Sequence, residues 1–252
     1  MTPRLSVIVP VFDEAGRLEP VLERLLAAPC SIPREWVFVD DASSDGSPEI
    51  LERFVEQHRA HEAGMVLLRR TENGGKGRAV RDGIEHATGT YIMVQDADEE
   101  YDPADVPRLL EPLLEDRADV VFGSRFRRER QQVHRTFHFL VNRVLTMLSN
   151  LASGIYLSDM ETCYKLFRAD LLKAMRLRSD RFGFEVEATA YVAKTKARIV
   201  ELPINYYPRT RLGGKKIGAL DGLAALWHLV HFNLLVSARQ AFDDLPARYR
   251  AP

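Results

Sequence analysis

Five short apolar runs dominate the first half of the chain: LSVIVPVF (5–12), WVFVD (36–40), MVLLR (65–69), YIMVQ (91–95) and DVVFGS (119–124). None alternates strictly between apolar and polar positions, which is the pattern of strands covered on both faces. Segments of helical character lie between them, near 15–27, 46–60, 76–87 and 103–115. The second has Asp45 or Ser47 available as a cap, and the fourth opens with Pro103 in a first-turn position. Strand and helix in regular alternation predict an α/β fold, a mostly parallel, Rossmann-like sheet with helices on both faces. In such sheets ligands gather beyond the carboxyl ends of the strands. Two acidic pairs fall there: Asp40-Asp41 after the second run and Asp96-Ala97-Asp98 after the fourth.

The second half is less regular. Residues 134–155 carry apolar side chains at 137, 140, 141, 144, 145, 148, 151 and 155, a helical stripe. FGFEVEATAYVAKT predicts another helix, ARIVELPINYY a strand, and 217–240 a final helix. We expect a single domain over 1–242 and a loose tail over 243–252. A formal net charge of −1 gives no global reason to expect nucleic acid. Cys30 and Cys163 alone make no disulfide framework, so a reducing cytoplasm is the expected setting. The opening MTPRLSVIVPVFDEAG reaches acidic residues too soon for a signal peptide. The most apolar stretch, from Leu220, is interrupted by Asp221, two histidines and Asn233, so it predicts a buried or interfacial helix rather than a membrane span.

The acidic run in IMVQDADEEYDP (92–103) is the strongest chemical signal. Carboxylates this close repel one another, and unpaired ones resist leaving water. A divalent cation resolves both problems. In an extended stretch residues i and i+2 point the same way, so Asp96 and Asp98 can face one ion, with Glu100 able to join them. Hard oxygen ligands suit Mg²⁺ or Mn²⁺, which keep waters and bind phosphates readily. VDDASSDGS (39–47) reads as a turn with a helix cap, and equally as a strand end that could take hydrogen bonds from a base or ribose. ENGGKGRAV (72–80) is glycine-rich around Lys76, yet it is neither G-x-x-x-x-G-K-[ST] nor G-x-G-x-x-G, which excludes a P-loop ATPase and a Rossmann dehydrogenase. His134, His138, His228 and His231 follow helical spacing rather than a ligand cluster.

Taken as a set, SVIVPVFDEAGRL, VFVDDASSDGS, NGGKGRAVRDGIEHATGTYIMVQDADEEY and VVFGSRF resemble family 2 glycosyltransferases with the nucleotide-sugar-binding GT-A fold. SDMETCYKLFRADLL, FGFEVE and INYYPRTRLGGKKIGALDG extend the resemblance to the branch of dolichyl-phosphate mannose synthase and bacterial polyprenyl-phosphate glucosyltransferases. The resemblance implies a nucleotide-sugar-binding half over 1–126 and acceptor-side, interfacial helices over 127–242. It implies that Pro10, Phe12, Glu14 and Asp41 hold base and ribose, that Lys76 joins the donor site, and that Asp96 and Asp98 hold the metal. Glu100 stands where mannose synthases often have Gln. Arg125 matches an arginine near the diphosphate, Arg209 and Lys215 a basic lid over the phosphates, and Asp159 and Glu161 an acceptor-side acidic motif. Helix capping is the plainer reading of Asp159 and Glu161, and solvation that of Glu185 and Glu187.

The expected reaction moves a hexose from UDP- or GDP-hexose to a polyprenyl phosphate, with inversion. Such an acceptor is already an anion and needs no general base. A sugar-hydroxyl acceptor would need one, from Asp159, Glu161 or Glu185. A nucleotide-binding subunit without turnover is the third possibility. The arginines at 125, 127, 128, 130, 135 and 143, next to the apolar stripe, lead us to expect a protein on the inner face of the membrane that does not cross it.

Overall fold

The computed structural model describes residues 2–59, 64–127, 136–181, 183–208 and 219–250. Seven strands form one sheet: β1 (Leu5–Val11), β2 (Arg34–Asp40), β3 (Met65–Arg69), β4 (Tyr91–Val94), β5 (Val120–Ser124), β6 (Lys165–Arg168) and β7 (Ile199–Pro203). Their order is β3-β2-β1-β4-β6-β5-β7. β1 pairs in parallel with β2 and β4, β2 with β3, and β5 with β7, whereas β6 runs antiparallel to both neighbours. The apolar runs are buried because helices cover both faces. Val7, Ile8, Val9, Val37, Phe38, Ile92, Val121 and Phe122 are all almost wholly excluded from solvent.

The helices of the first half follow their sequence periods. α1 (Ala15–Ala27) buries Leu18, Val21, Leu22 and Leu25 at helical spacing. α2 (Ser47–Gln57), α3 (Lys76–His86) and α4 (Val106–Leu114) complete that half, with a 3₁₀ turn at Pro103–Asp105 leading into α4. The Asp102 side chain caps that turn by accepting from the Ala104 N–H.

The second half departs from the sequence reading in three places. KLFR, to which the sequence pattern assigns no element, forms β6, wedged between β4 and β5 and followed by α6 (Ala169–Lys173). The stripe on α5 (Thr136–Ser153) divides: Val141, Leu145 and Leu148 pack with Met160, Val186, Ala225 and Leu229, while Leu140, Val144, Met147 and Leu151 are exposed. Residues 243–250 are not loose. Asp243 N–H donates to Ala174 O at 2.9 Å, and buried Tyr249 bonds Asp170 through its hydroxyl at 3.2 Å. α7 (Phe184–Val192) is buried along its whole length, α8 (Ala219–Val230) continues into a π-helical turn at His231–Leu235, and α9 (Ala238–Ala241) follows. Among the described residues no helix is long and apolar enough to cross a membrane.

Candidate active site at the carboxyl edge of the sheet

The loops after β1 and β2 are tied to each other. Asp13 N–H donates to Ser43 Oγ and Glu14 N–H to Ser47 Oγ, both at 3.0 Å, and Ser44 N–H donates to Asp13 Oδ1 at 2.7 Å. Asp45 accepts from Ala15 N–H and Ser47 N–H, both at 2.9 Å. It is thus a bridge between loops rather than a simple cap of α2. Pro10 is half-buried near the end of β1 and Phe12 is partly exposed beyond it, so this part of the expected base-and-ribose set does line the edge.

Asp41 is buried and already engaged. Gly74 N–H reaches its Oδ1 at 2.9 Å, Gly75 N–H its Oδ2 at 2.7 Å, and Arg70 Nε its Oδ1 at 2.9 Å. Its carboxylate therefore shapes the glycine loop. That loop needs its glycines: Gly75 has φ +84°, and a Cβ on Gly77 would lie 2.3 Å from Ser179 O. The loop delivers Lys76, at the start of α3, into the site.

Lys76 Nζ lies 2.7 Å from Asp96 Oδ1 and 2.8 Å from Glu185 Oε1. Burial opposes its charge, but the Asp96 and Glu185 carboxylates outweigh burial and hold its pKa well above the ordinary lysine value. Glu185, expected at a solvated helix face, is buried on α7. Burial pushes its pKa up, but Lys76 and Lys165 together bring it below the usual range. Glu187 is buried as well and accepts from the Arg178 and Ser179 N–H groups, both at 2.8 Å.

Asp96 and Asp98 are partly exposed on either side of buried Ala97, as the i, i+2 argument requires. Asp98 Oδ1 accepts the Glu100 N–H at 2.9 Å. Glu100 itself, expected as a third metal ligand, takes a hydrogen bond from Tyr206 Oη at 2.6 Å, and its carbonyl accepts from Tyr207 N–H at 2.7 Å. Among the described residues no group of three or more His, Cys, Asp or Glu side chains is gathered as a metal cluster. The pair Asp96–Asp98 remains as the donor set. Two hard oxygens with part of their surface open, one of them already holding the ammonium of Lys76, fit Mg²⁺ or Mn²⁺ completed by water and phosphate.

Arg125 and Asp159, expected at the two ends of the substrate, are joined to each other. Arg125 Nε and N–H donate to Asp159 Oδ2 at 2.7 and 3.0 Å, and Nη2 donates to Oδ1 at 2.8 Å. Burial opposes both charges. The pairing outweighs it, raising the pKa of Arg125 and lowering that of Asp159. Asp159 is therefore no helix cap. Glu161 Oε1 is buried without a hydrogen-bond partner. Burial, and then the charge of Glu185, push the Glu161 pKa up to about 7.

Lys165 on β6, unremarked in the sequence, is fully buried nearby. Its Nζ donates to Met160 O at 2.8 Å and to Thr162 O, and burial lowers its pKa to about 8. A lysine set between apolar neighbours, Tyr164 on one side and Leu166-Phe167 on the other, was the available signal. Arg209 and Lys215, and the arginines at 128, 130 and 135, lie outside the described residues.

The fold is the GT-A fold of glycosyltransferases. The profile of glycosyl transferase family 2 matches residues 6–176, and the chain belongs to that family. It is 32% identical over 233 residues to the undecaprenyl-phosphate mannosyltransferase of Micrococcus luteus, covering 88% of this chain and 91% of that protein. It is 31% identical over 229 residues to the undecaprenyl-phosphate 4-deoxy-4-formamido-L-arabinose transferase of Edwardsiella ictaluri, covering 90% of this chain but 66% of the relative, just under two thirds of its length. The glucosyl-3-phosphoglycerate synthase of Mycobacterium tuberculosis, solved with Mn²⁺, UDP and glucosyl-3-phosphoglycerate, superposes with a TM-score of 0.63 at 18% identity, covering 92% and 80% of the two chains. That likeness is one of fold.

Proposed function

We propose that the protein is an inverting hexosyltransferase moving a sugar from a UDP- or GDP-hexose to a polyprenyl phosphate, at the cytoplasmic face of a membrane. The observation that carries the reading is the double role of α5. Its Thr146 Oγ1 accepts from Met160 N–H at 3.1 Å and its Asn142 amide reaches Asp159 at 3.5 Å, so one side of the helix touches the site. Its Leu140, Val144, Met147 and Leu151 face solvent, 49–76% exposed, and Trp227, Val230, Leu234 and Leu235 are exposed on α8 and the π-helical turn. Apolar surface of this extent beside a phosphate site suits an acceptor with an anionic head and a hydrocarbon tail. The undecaprenyl-phosphate relatives support the same acceptor class. The apolar face supports the membrane reading more than the arginines do. Arg125 is buried with Asp159, Arg127 pairs with Glu201 at 2.8 Å, and Arg143 donates to Ser158 O at 3.3 Å.

In this reading the rim of Pro10, Phe12 and Glu14 receives the nucleoside, while Asp41 acts through the glycine loop that it holds. Asp96 and Asp98 hold a divalent cation, which offsets the growing charge of the departing diphosphate. Lys76 supplies fixed positive charge beside it, with Arg209 and Lys215 as the proposed lid. The acceptor phosphate oxygen attacks the anomeric carbon from the face opposite the leaving diphosphate. No proton has to be removed from it. Arg125 and Asp159, a neutralised pair, position the acceptor-side loop rather than lend charge. One observation favours transfer to a hydroxyl instead: unpartnered Glu161, with its pKa near 7, has the properties of a general base.

The test offers UDP- and GDP-hexoses with Mn²⁺ or Mg²⁺ to undecaprenyl phosphate in vesicles and, separately, to water-soluble sugar acceptors. Lipid-linked sugar of inverted configuration is the expected product. Transfer confined to the hydroxyl acceptors would replace this reading with the second one.

A further inference from the structure

Lys76 stands between two carboxylates from opposite sides of the site, Asp96 after β4 and Glu185 on α7, with both oxygens within 2.8 Å of its Nζ. The backbone around it is fixed on both sides. Gly74 and Gly75 donate to Asp41, Gly77 N–H donates to Arg181 O at 2.9 Å, and Arg78 N–H to Asp180 O at 3.0 Å. The ammonium therefore has a short reach, and both carboxylates lie inside it. An ammonium and a divalent cation compete for the same Asp96 oxygen, and the ammonium is there already. Glu185 gives it a second berth in which it stays paired once Asp96 is taken.

We propose that Lys76 is a resident counter-ion that keeps the Asp96–Asp98 seat closed to a bare divalent cation, and that Glu185 is the positioning residue that retains the ammonium when a nucleoside diphosphate arrives with its metal. The inference rests on the donor-and-metal reading above. The diphosphate tips the exchange, because Lys76 can donate to it while still held by Glu185. Metal and nucleotide then bind as one unit, each strengthening the other, and the coupling between them resides in Lys76.

The test reads Mn²⁺ binding by the paramagnetic resonance of the free ion, with and without UDP or GDP, so sugar transfer does not enter it. Lys76→Met alone leaves Glu185 buried and unpaired and risks misfolding, so the doubly neutral Lys76→Met/Glu185→Gln is measured beside it. In the wild type the nucleotide is expected to tighten Mn²⁺ strongly. In the double variant bare Mn²⁺ binds roughly tenfold tighter than in wild type, and the nucleotide's enhancement shrinks to match. Glu185→Gln alone weakens the binding of Mn²⁺ with nucleotide without tightening bare Mn²⁺, a split that a merely structural role would not produce. A double variant that binds bare Mn²⁺ no tighter, with the nucleotide enhancement intact, would overturn the counter-ion role and leave the metal seat standing. A wild type that takes up no Mn²⁺ with either nucleotide would overturn both.

Discussion

On the proposed nucleotide side of the site, β1 to α3, the loops are held by backbone N–H groups donating to short side chains: Asp13, Ser43, Asp45, Ser47 and, deeper, Asp41. On the proposed acceptor side, from β5 to α7, the loops are held by charges buried against each other: Arg125 with Asp159, Lys165 on carbonyls beside Glu161, Glu185 with Lys76. Bonds of the first kind are many and individually small, and apart from those of buried Asp41 and Ser47 they leave their partners near water. Those of the second kind are few, and each leaves a stranded charge when it is broken. The nucleotide side should therefore lose rigidity by degrees, and the acceptor side all at once.

The largest effect should come where the two sides meet. Asp98→Asn keeps the shape of the β4 end and neutralises one of the two proposed metal-binding carboxylates, so sugar transfer should fall about a thousandfold, with little change in melting temperature. Transfer by wild type after complete metal stripping, in excess chelator, would break the assignment.

Next comes Asp159→Asn. It strands the Arg125 guanidinium in the interior, and unfolding free energy should drop by about 3–5 kcal/mol, with part regained in Asp159→Asn/Arg125→Met. Denaturant midpoints for wild type and the two variants measure it. On the nucleotide side Asp45→Ala, losing two N–H bonds at an exposed loop, should cost about 1 kcal/mol. Equal losses at the two positions would erase the contrast between the sides.

Glu161 adds a dependence on pH. Its folded pKa, about 7, lies above its ordinary 4.5. Below 4.5 both folded and unfolded forms are protonated and no cost exists. As pH rises from 4.5 to 7 the unfolded chain releases the proton first, so stability falls through that window and stays lower above it. The loss is about 3 kcal/mol, and Glu161→Gln should abolish it. The variant should match wild type at pH 4.5 and exceed it at pH 8. Parallel stability curves would place Glu161 in water.

The same contrast explains what the sequence could convey. β1, β2 and β4 are buried on both faces, so their apolar runs announce them, and the partly exposed edge strand Met65–Arg69 and the helix Ala15–Ala27 also lie where the pattern puts them. β6 is invisible to pattern because its four residues include Lys165 and Arg168, and a charge in a strand reads as a loop until its partners are known. Sequence spacing placed Asp96 and Asp98 at a strand end, but it could not show that Asp159 faces Arg125 or that Glu100 faces Tyr206. Those pairings join residues 34 and 106 positions apart. The tail misled for the same reason: Tyr249 is a lone aromatic in a polar stretch, and only its bond to Asp170 on α6 gives it a place.

The smallest effect on stability should accompany a large effect on location, and it falls on α5. The helix divides its apolar residues between two jobs: Val141, Leu145 and Leu148 pack inward, while Leu140, Val144, Met147 and Leu151 face out. Replacing the outward four with Ser removes no buried contact, so each change should move stability by no more than about 0.5 kcal/mol. Leu145→Ser is the matched control, since it takes a buried side chain from the packing with Val186 and Leu229, and it should cost several times more. If the outward face rests on lipid, the fourfold variant should lose flotation with anionic vesicles, and lose transfer to long-chain polyprenyl phosphate, while transfer to a short, water-soluble prenyl phosphate survives. High salt should weaken wild-type flotation only in part, because the described arginines beside this face are engaged within the protein and apolar insertion carries the contact. Flotation of the fourfold variant equal to that of wild type would move the docking surface elsewhere, with Trp227, Leu234 and Leu235 the next residues to change.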